Sequence, residues 1–115
     1  MDTLDDNAII HIADYFQALA EPMRLKVLNT LRAGDRNVGE LAEILGCTTA
    51  NISKHLSLLA KIGFVERTTQ GNSVHYRISD PAVFDLCNTV CGQVGKRLAA
   101  QAKIATKMMA VREKG

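Results

Sequence analysis

Residues 47–63 read CTTANISKHLSLLAKIG, and this pattern predicts a helix with its own start and stop signals. Thr48 suits the amino-terminal cap, because its hydroxyl oxygen can accept a backbone N–H from two or three residues ahead. Gly63 predicts the end of the helix. One face repeats apolar residues at helical spacing and is therefore predicted to be buried. That face consists of Ile52, Leu56 and Leu59.

A second apolar pattern lies just before this helix, in VGELAEILG at residues 38–46. Its spacing predicts a short helix that ends at Gly46, so a tight turn would join the two helices. Two helices joined in this way are typical of a helix-turn-helix, whose second helix can enter the major groove of DNA. The sequence therefore predicts a helix-turn-helix over about residues 38–63.

The periodicity changes from helical to strand-like after Gly63. Residues 64–69 and 73–78 predict two strands, and Gln70-Gly71-Asn72 between them has the composition of a tight turn. An isolated two-stranded hairpin is only marginally stable in water, so we expect this one to pack on the helices. A hairpin directly after a helix-turn-helix makes a winged helix, with the wing at about residues 64–78.

Three further helices are predicted around this unit. Apolar residues at helical spacing predict a helix at about 7–19, a second that starts at Pro22 and is capped at Gly34, and a long last helix at about 81–111. The first and last helices carry apolar stripes that need a partner, which predicts an obligate homodimer through these two helices. The predicted fold is mainly α with a small β-hairpin, as one winged-helix domain over residues 1–115.

The composition excludes several classes of protein. The chain has 115 residues, of which 47% are hydrophobic and 23% charged, as is typical of a globular domain. Its three widely spaced cysteines do not predict a disulfide scaffold, and no apolar run is long enough to cross a bilayer. The acidic start MDTLDDN lacks the features of a signal peptide, so we expect a cytoplasmic protein without a membrane partner. No phosphate loop, triad spacing or paired catalytic carboxylates occur, which predicts a non-enzyme.

The charges are distributed unevenly along the chain. Residues 1–46 carry four basic and eight acidic side chains, whereas residues 47–79 carry four basic side chains and one acidic one. Residues 81–115 carry six basic and two acidic side chains. A basic middle after an acidic start favours a polyanionic partner, although solvated basic faces are also common.

Four stretches carry a resemblance to a known family. They are ALAEPMRLKVLNTL at 18–31, VGELAEILG at 38–46, NISKHLSLLAKIGFVE at 51–66 and GNSVHYRI at 71–78. With these stretches the chain resembles the ArsR/SmtB family of small winged-helix repressors. The resemblance implies a homodimer that binds double-stranded operator DNA and leaves it when a small inducer binds.

The polar side of the helix capped by Thr48, together with the wing, is the predicted DNA-binding surface. Short polar side chains let a helix approach base edges, while lysine and arginine neutralise phosphates. The predicted contact residues are Thr48, Thr49, Asn51, Ser53, Lys54, His55, Ser57, Lys61, Arg67, Gln70, Asn72 and Arg77. His55 has two interpretations, a phosphate contact or a semi-buried histidine bonded to backbone, because it falls between the apolar and polar faces.

The cysteines are the candidates for an inducer site. Cys87 and Cys91 are four residues apart, so both thiols lie on one helical face with Cβ atoms roughly 6 Å apart. This arrangement suits a soft ion such as As(III) or Cu(I) with a third ligand, and it also suits sensing of an oxidant or reactive sulfur. Packing in the dimer core is as strong an interpretation, because buried cysteine behaves as a small hydrophobic residue. Cys47 is predicted mainly to pack beside Ile52, with a sensory role as the lesser alternative.

Two metal-binding patterns of the family it resembles are incomplete here. Where one pattern has Glu-Leu-Cys-x-Cys, this chain has Glu40-Leu41-Ala42-Glu43-Ile44. The other pattern binds zinc through histidines of the last helix, and no histidine follows His75. The sequence establishes no cofactor, and a soft metal or metalloid ion such as As(III) at thiolates is the candidate.

Two alternative functions remain open at this point. The first is a winged-helix regulator without thiol sensing, and the second is a winged-helix module whose groove-reading face binds a protein. The basic residues favour DNA as the partner. A steep fall of DNA affinity with salt would discriminate between these partners, because phosphate contacts release counterions.

Overall fold

Within residues 3–114, which the computed structural model describes, the chain forms five helices and one hairpin. A first unit extends to Asp80 and a second begins at Pro81. The first unit contains α1 (Asp6–Leu19), α2 (Pro22–Arg32), α3 (Val38–Leu45), α4 (Thr49–Ile62), β1 (Val65–Gln70) and β2 (Ser73–Ile78). The second contains α5 (Ala82–Lys114). The ends of the predicted 1–115 domain, Met1, Asp2 and Gly115, lie outside the described residues.

The four helices of the first unit start with the same capping interaction. A side-chain oxygen of the capping residue accepts the backbone N–H three residues ahead, which satisfies one of the free donors of the first turn. The pairs are Asp5 with Ala8 (2.7 Å), Glu21 with Arg24 (2.9 Å), Asn37 with Glu40 (2.8 Å) and Thr48 with Asn51 (3.1 Å). The predicted cap at Thr48 is therefore confirmed.

Two of the three predicted glycine caps are confirmed. Gly46 and Gly63 cap α3 and α4 with left-handed φ angles of 68° and 97°. The prediction that Gly34 caps α2 was wrong by one residue. Ala33 is the cap, in a right-handed helical conformation, and its N–H donates to the carbonyl of Thr30. The helix therefore closes with an ordinary turn before Gly34 is reached.

The core of the first unit is built around α4. Ile52, Leu56 and Leu59 are 0% exposed, so the predicted buried face is confirmed. Removing one such side chain from water contributes roughly 1.5–3 kcal/mol. Tyr15 on α1 adds a tilted ring contact to Phe64, with ring centroids 4.5 Å apart. The other buried members of this core are Ala18, Val27, Leu28, Leu31, Leu41, Ala42, Phe64 and Val65.

The hairpin pairs β1 and β2 from Val65↔Ile78 to Gln70↔Ser73. The predicted first strand, 64–69, was therefore wrong by one residue at each end. The N–H of Phe64 donates to the carbonyl of Leu59 at 2.9 Å, so this residue completes the end of α4 instead of starting the strand. Because Gln70 is paired, the turn consists of Gly71 and Asn72 alone, with a φ of 63° at Gly71.

A third backbone segment pairs with the wing. Arg36, in the turn between α2 and α3, forms an isolated antiparallel bridge with Tyr76. The N–H of Tyr76 donates to the carbonyl of Arg36 at 2.8 Å, and the reverse bond measures 3.2 Å. The hairpin thus packs on the helical part of the unit, as expected, and it is fixed by hydrogen bonds to the turn between α2 and α3.

The second unit is one helix of 33 residues. At 1.5 Å per residue it is about 50 Å long. It continues unbroken through Gly92 and Gly95, and it extends beyond the predicted end at 111. Most of its apolar side chains from Val90 onward are exposed in the single chain.

Candidate nucleic-acid interface

One side of α4 presents polar side chains at the surface while the other side fills the core. The predicted contact residues of this helix are all exposed except His55. The exposed ones are Thr49, Asn51, Ser53, Lys54, Ser57 and Lys61. Ser53, Ser57 and Lys61 follow each other at intervals of four residues, so they lie in a row on one face. Leu58 is also exposed, at 41%, and is the large apolar residue among them.

The electrostatics of α4 suit an anionic partner. The helix contains two lysines and no aspartate or glutamate. Its amino end carries the positive pole of the helix dipole, and the first turn has no acidic side chain to neutralise it. Thr48 lies at this end with its hydroxyl oxygen occupied by the Asn51 N–H, which leaves the O–H free to donate to a phosphate.

His55 does not belong to the exposed face. Its side chain is only 13% exposed and lies toward α2. Its Nδ1 is 3.5 Å from Nη1 of Arg24, and its Nε2 is 3.8 Å from Oε2 of Glu21. Of the two interpretations of His55, the semi-buried one therefore fits, although its neighbours are side chains and not backbone. The signal that sequence reasoning missed was the Glu21-Pro22-Met23-Arg24 start of α2.

Glu21 and Arg24 are tied together at the start of α2. The backbone N–H of Arg24 donates to Oε2 of Glu21 at 2.9 Å. This bond is the main reason why the pKa of the Glu21 carboxyl is lowered, because it stabilises the charged form, while partial burial acts in the opposite direction. Glu21 therefore acts as a charged cap at the positive end of α2.

The wing offers its two predicted arginines on opposite faces. Side chains alternate along a strand, so Arg67 shares the face of Val65 while Arg77 shares the face of Glu66. Arg67 is exposed. The Nε of Arg77 donates to Oε1 of Glu66 at 2.5 Å across the hairpin, so a phosphate would compete with this carboxylate. Gln70 and Asn72 are exposed at the tip beside Gly71.

The three cysteines are free thiols in different environments. Cys87 is half-buried and Cys91 exposed, on one face of the unbroken α5. Cys47 is half-buried at the start of α4, and its N–H donates to the carbonyl of Ala42 at 3.1 Å. Among the described residues, no group of three or more histidine, cysteine or carboxylate side chains is close enough to hold a metal ion. A soft ion at Cys87 and Cys91 would therefore need a further ligand from outside this set.

Comparison with known proteins places this geometry in a family. The profile described as "Bacterial regulatory protein, arsR family" matches residues 21–67, from the cap of α2 into β1. The transcriptional regulator NmtR of Mycobacterium tuberculosis is 37% identical over 83 residues, which cover 72% of this chain and 69% of NmtR. The chain belongs to the ArsR family.

Other relatives of this ArsR-family chain agree in sequence and in fold. A probable mercury resistance operon repressor of Streptomyces lividans is 39% identical over 74 residues, covering 64% of this chain. The match covers 59% of that repressor, which is less than two thirds of its length. A homodimeric winged helix-turn-helix domain from Mycobacterium bovis superposes with a TM-score of 0.73 and 29% identity, covering 85% of this chain and 94% of that domain.

The family membership confirms the predicted resemblance and the winged helix-turn-helix fold. The relatives are named as transcriptional regulators, which supports the interpretation of this chain as a non-enzyme. None of the described helices has the length and apolar character that a membrane span requires.

Proposed function

We propose that this ArsR-family chain is a DNA-binding transcriptional repressor that recognises double-stranded operator DNA with α4. The observation that carries the proposal is the pair of opposite faces of α4. One face is 0% exposed at Ile52, Leu56 and Leu59, which holds the helix rigidly. The other presents hydroxyl, amide and ammonium groups without a carboxylate. The relative named as an operon repressor supports the same function.

The exposed residues of α4 divide into two roles in this proposal. Ser53 and Ser57 have short side chains that bring the helix close to base edges in the major groove. Lys54 and Lys61 neutralise phosphates on either side. Thr48, Thr49 and Asn51 at the amino end contact the backbone with donors of the first turn. In the wing, Arg67, Gln70 and Asn72 contact flanking phosphates. Arg77 can contact a phosphate only when its ion pair with Glu66 breaks.

The functional unit of the proposal is a homodimer. Apolar side chains on α1 and α5 are too exposed for an isolated chain, with Phe16 at 52%, Val94 at 49% and Leu98 at 58%. The homodimeric state of the Mycobacterium bovis domain supports this assembly. Two copies of α4 in such a dimer would read two half-sites about one turn of DNA apart.

The inducer in this proposal binds the thiols of Cys87 and Cys91. Exposure of Cys91 gives a reagent access, and the i, i+4 spacing places both sulfur atoms on one side of α5. Thiolates select soft ions such as As(III), and the relative named for mercury resistance supports a soft ion as the inducer. A 100-fold loss of operator affinity requires only about 2.7 kcal/mol of coupling between the thiol site and the DNA site.

Selection of binding sequences from random duplex DNA tests the proposed repressor. We expect a pseudo-palindromic operator to be enriched, and we expect its affinity to fall steeply as salt rises from 50 to 200 mM, by roughly 10³-fold or more if six or more phosphates are contacted. Absence of enrichment, together with salt-insensitive capture of a protein partner, would instead favour the protein-interaction module.

Release of the operator complex tests the thiol site. As(III), Hg(II), Zn(II), peroxide and polysulfide are added in turn to wild type, Cys87→Ser/Cys91→Ser and the matched control Cys47→Ser. We expect a soft ion to release wild type and Cys47→Ser but not the double variant. Release of all three proteins by the same reagents would leave Cys87 and Cys91 as packing residues.

A further inference from the structure

Arg24 joins three helices of the first unit. Its Nε donates to the carbonyl of Ala18 at 2.6 Å, and its Nη2 donates to the carbonyl of Gln17 at 3.0 Å. These carbonyls belong to the last turn of α1, and the carbonyl of Gln17 also accepts the N–H of the cap residue Ala20 at 3.1 Å. The guanidinium thus caps α1 with a positive charge at the negative end of its dipole.

The third nitrogen of the Arg24 guanidinium, Nη1, lies close to α4. Nη1 lies 3.5 Å from Nδ1 of His55, which is in the middle of α4 and one residue from Lys54. A guanidinium has only donors, so a hydrogen bond between the two groups requires Nδ1 as the acceptor, and Nε2 lies 3.8 Å from Oε2 of Glu21. A single side chain of α2 therefore connects the end of α1 with the face of α4 behind the polar residues.

We infer that Arg24 and His55 are positioning residues for operator recognition, which fix α4 relative to the end of α1 without touching DNA. The inference rests on the proposed function. Base readout depends on displacements of a fraction of an ångström, because a hydrogen bond weakens quickly with distance and angle. A contact that fixes the middle of α4 therefore determines whether Ser53 and Ser57 reach their bases.

Burial distinguishes this role from a phosphate contact. The His55 side chain is 13% exposed and lies between two charged side chains of α2, whereas Lys54 beside it is exposed. A phosphate contact would require the ring to leave Arg24. The same linkage connects α4 to α1, a helix that the proposed dimer uses.

A double-mutant cycle on the full chain tests the inference. The variants are Arg24→Met, His55→Leu and their combination, and affinities are measured for the selected operator and for random duplex DNA over a range of salt. We expect each single variant to lose about tenfold in operator affinity, with random-DNA affinity and the salt slope unchanged. The double variant should lose no more operator affinity than the worse single variant, since each single variant already removes the contact between Arg24 and His55.

Two further variants separate positioning from stability. His55→Asn keeps an acceptor near the position of Nδ1 and should restore most of the operator affinity. Val27→Ala opens a cavity in α2 at a residue that is 0% exposed, so it should lower the melting temperature while the folded protein still prefers the operator. Loss of preference in Val27→Ala as well would mean that general destabilisation explains the result, and the inference would fail.

Other outcomes also overturn the inference. If His55→Leu lowers the affinity for every sequence and reduces the salt slope by about one, His55 is a phosphate contact. If the losses of the two single variants multiply in the combination, the residues act independently. Wild type that binds no DNA at all would overturn the proposed function itself, and this outcome is visible before any variant is made.

Discussion

Helices α4 and α5 both carry apolar residues at helical spacing, but α4 buries its stripe within its own chain, whereas α5 buries Val83 and exposes the stripe from Val90 onward. Ile52, Leu56 and Leu59 are 0% exposed, whereas Val90, Val94 and Leu98 are 51%, 49% and 58% exposed. Helical periodicity therefore identifies the apolar face of a helix, but it does not indicate whether that face packs within the chain or against another chain. In α4 the stripe stabilises the first unit, and in α5 it remains available for association.

Truncation of the α4 stripe should give the largest effect. Leu56→Ala removes a fully buried side chain, and we expect it to lower the free energy of unfolding by about 2–5 kcal/mol. Denaturant titration of the full chain measures this loss. Leu98→Ala is the control on α5, and its effect should appear only as a change in the concentration dependence of the midpoint. Equal losses at both positions would mean that α5 is as deeply buried as α4.

A charge in the α5 stripe should give the next largest effect. Val94→Lys places an ammonium in the proposed dimer interface, and we expect the dissociation constant of the dimer to rise by about 100-fold, or ~2.7 kcal/mol. Sedimentation at micromolar concentration measures it. Thr89→Lys, on the side of the same helix opposite the apolar stripe, is the matched control and should remain dimeric. Wild type that sediments as a monomer would refute the proposed dimer.

The serines and the lysine on the exposed face of α4 can be compared in the same way. Ser53→Ala and Ser57→Ala leave the core intact and should each reduce discrimination between operator and random DNA by roughly 1–3 kcal/mol. Lys61→Ala should instead weaken binding to all sequences and flatten the salt slope by about one. Fluorescence anisotropy with both kinds of DNA measures these changes. Identical behaviour of the three variants would mean that the reading face of α4 is assigned wrongly.

The smallest effect is expected at the cap of α2. The pKa of Glu21 is lowered in the folded chain. Its charge therefore stabilises the fold at pH values above the ordinary pKa of a carboxyl group. This contribution is lost as pH falls through the pKa of the folded state. Glu21→Gln should therefore be less stable than wild type near neutral pH, and the difference should vanish in acid. Thermal unfolding between about pH 3 and 7 measures it. Dimerisation through α5 should be unaffected. A stability difference between Glu21→Gln and wild type that grew in acid would contradict the role of Glu21 as a charged cap of α2.

Most of the fold could be predicted from local sequence rules. Thr48, Gly46 and Gly63 mark helix ends through interactions with residues a few positions away, and α4 shows its buried face by periodicity alone. The strand boundary at Phe64 is wrong because two elements compete for this residue. Phe64 looks like a strand residue by type, but its N–H completes the end of α4.

The candidate site was less predictable because its key contacts are distant in sequence. The contact of Arg24 with His55 spans 31 positions, and the bridge of Arg36 with Tyr76 spans 40. No periodicity links such residues. The exposed polar row of α4 was foreseen because it is local to one helix, whereas the burial of His55 depends on what α2 places beside it. The roles of Cys87 and Cys91 likewise depend on partners beyond α5.

The bridge between Arg36 and Tyr76 separates the wing into an anchored base and a free tip. Beyond the bridge the hairpin continues for three residue pairs and closes with Gly71 and Asn72. Closing a longer loop costs only about 0.6 kcal/mol for each doubling of its length, so the tip tolerates insertions that the base would not. Descendants of this gene could therefore lengthen the wing in small steps while the helix-turn-helix stays folded. In such a lineage the surface of the wing would diverge faster than the exposed face of α4.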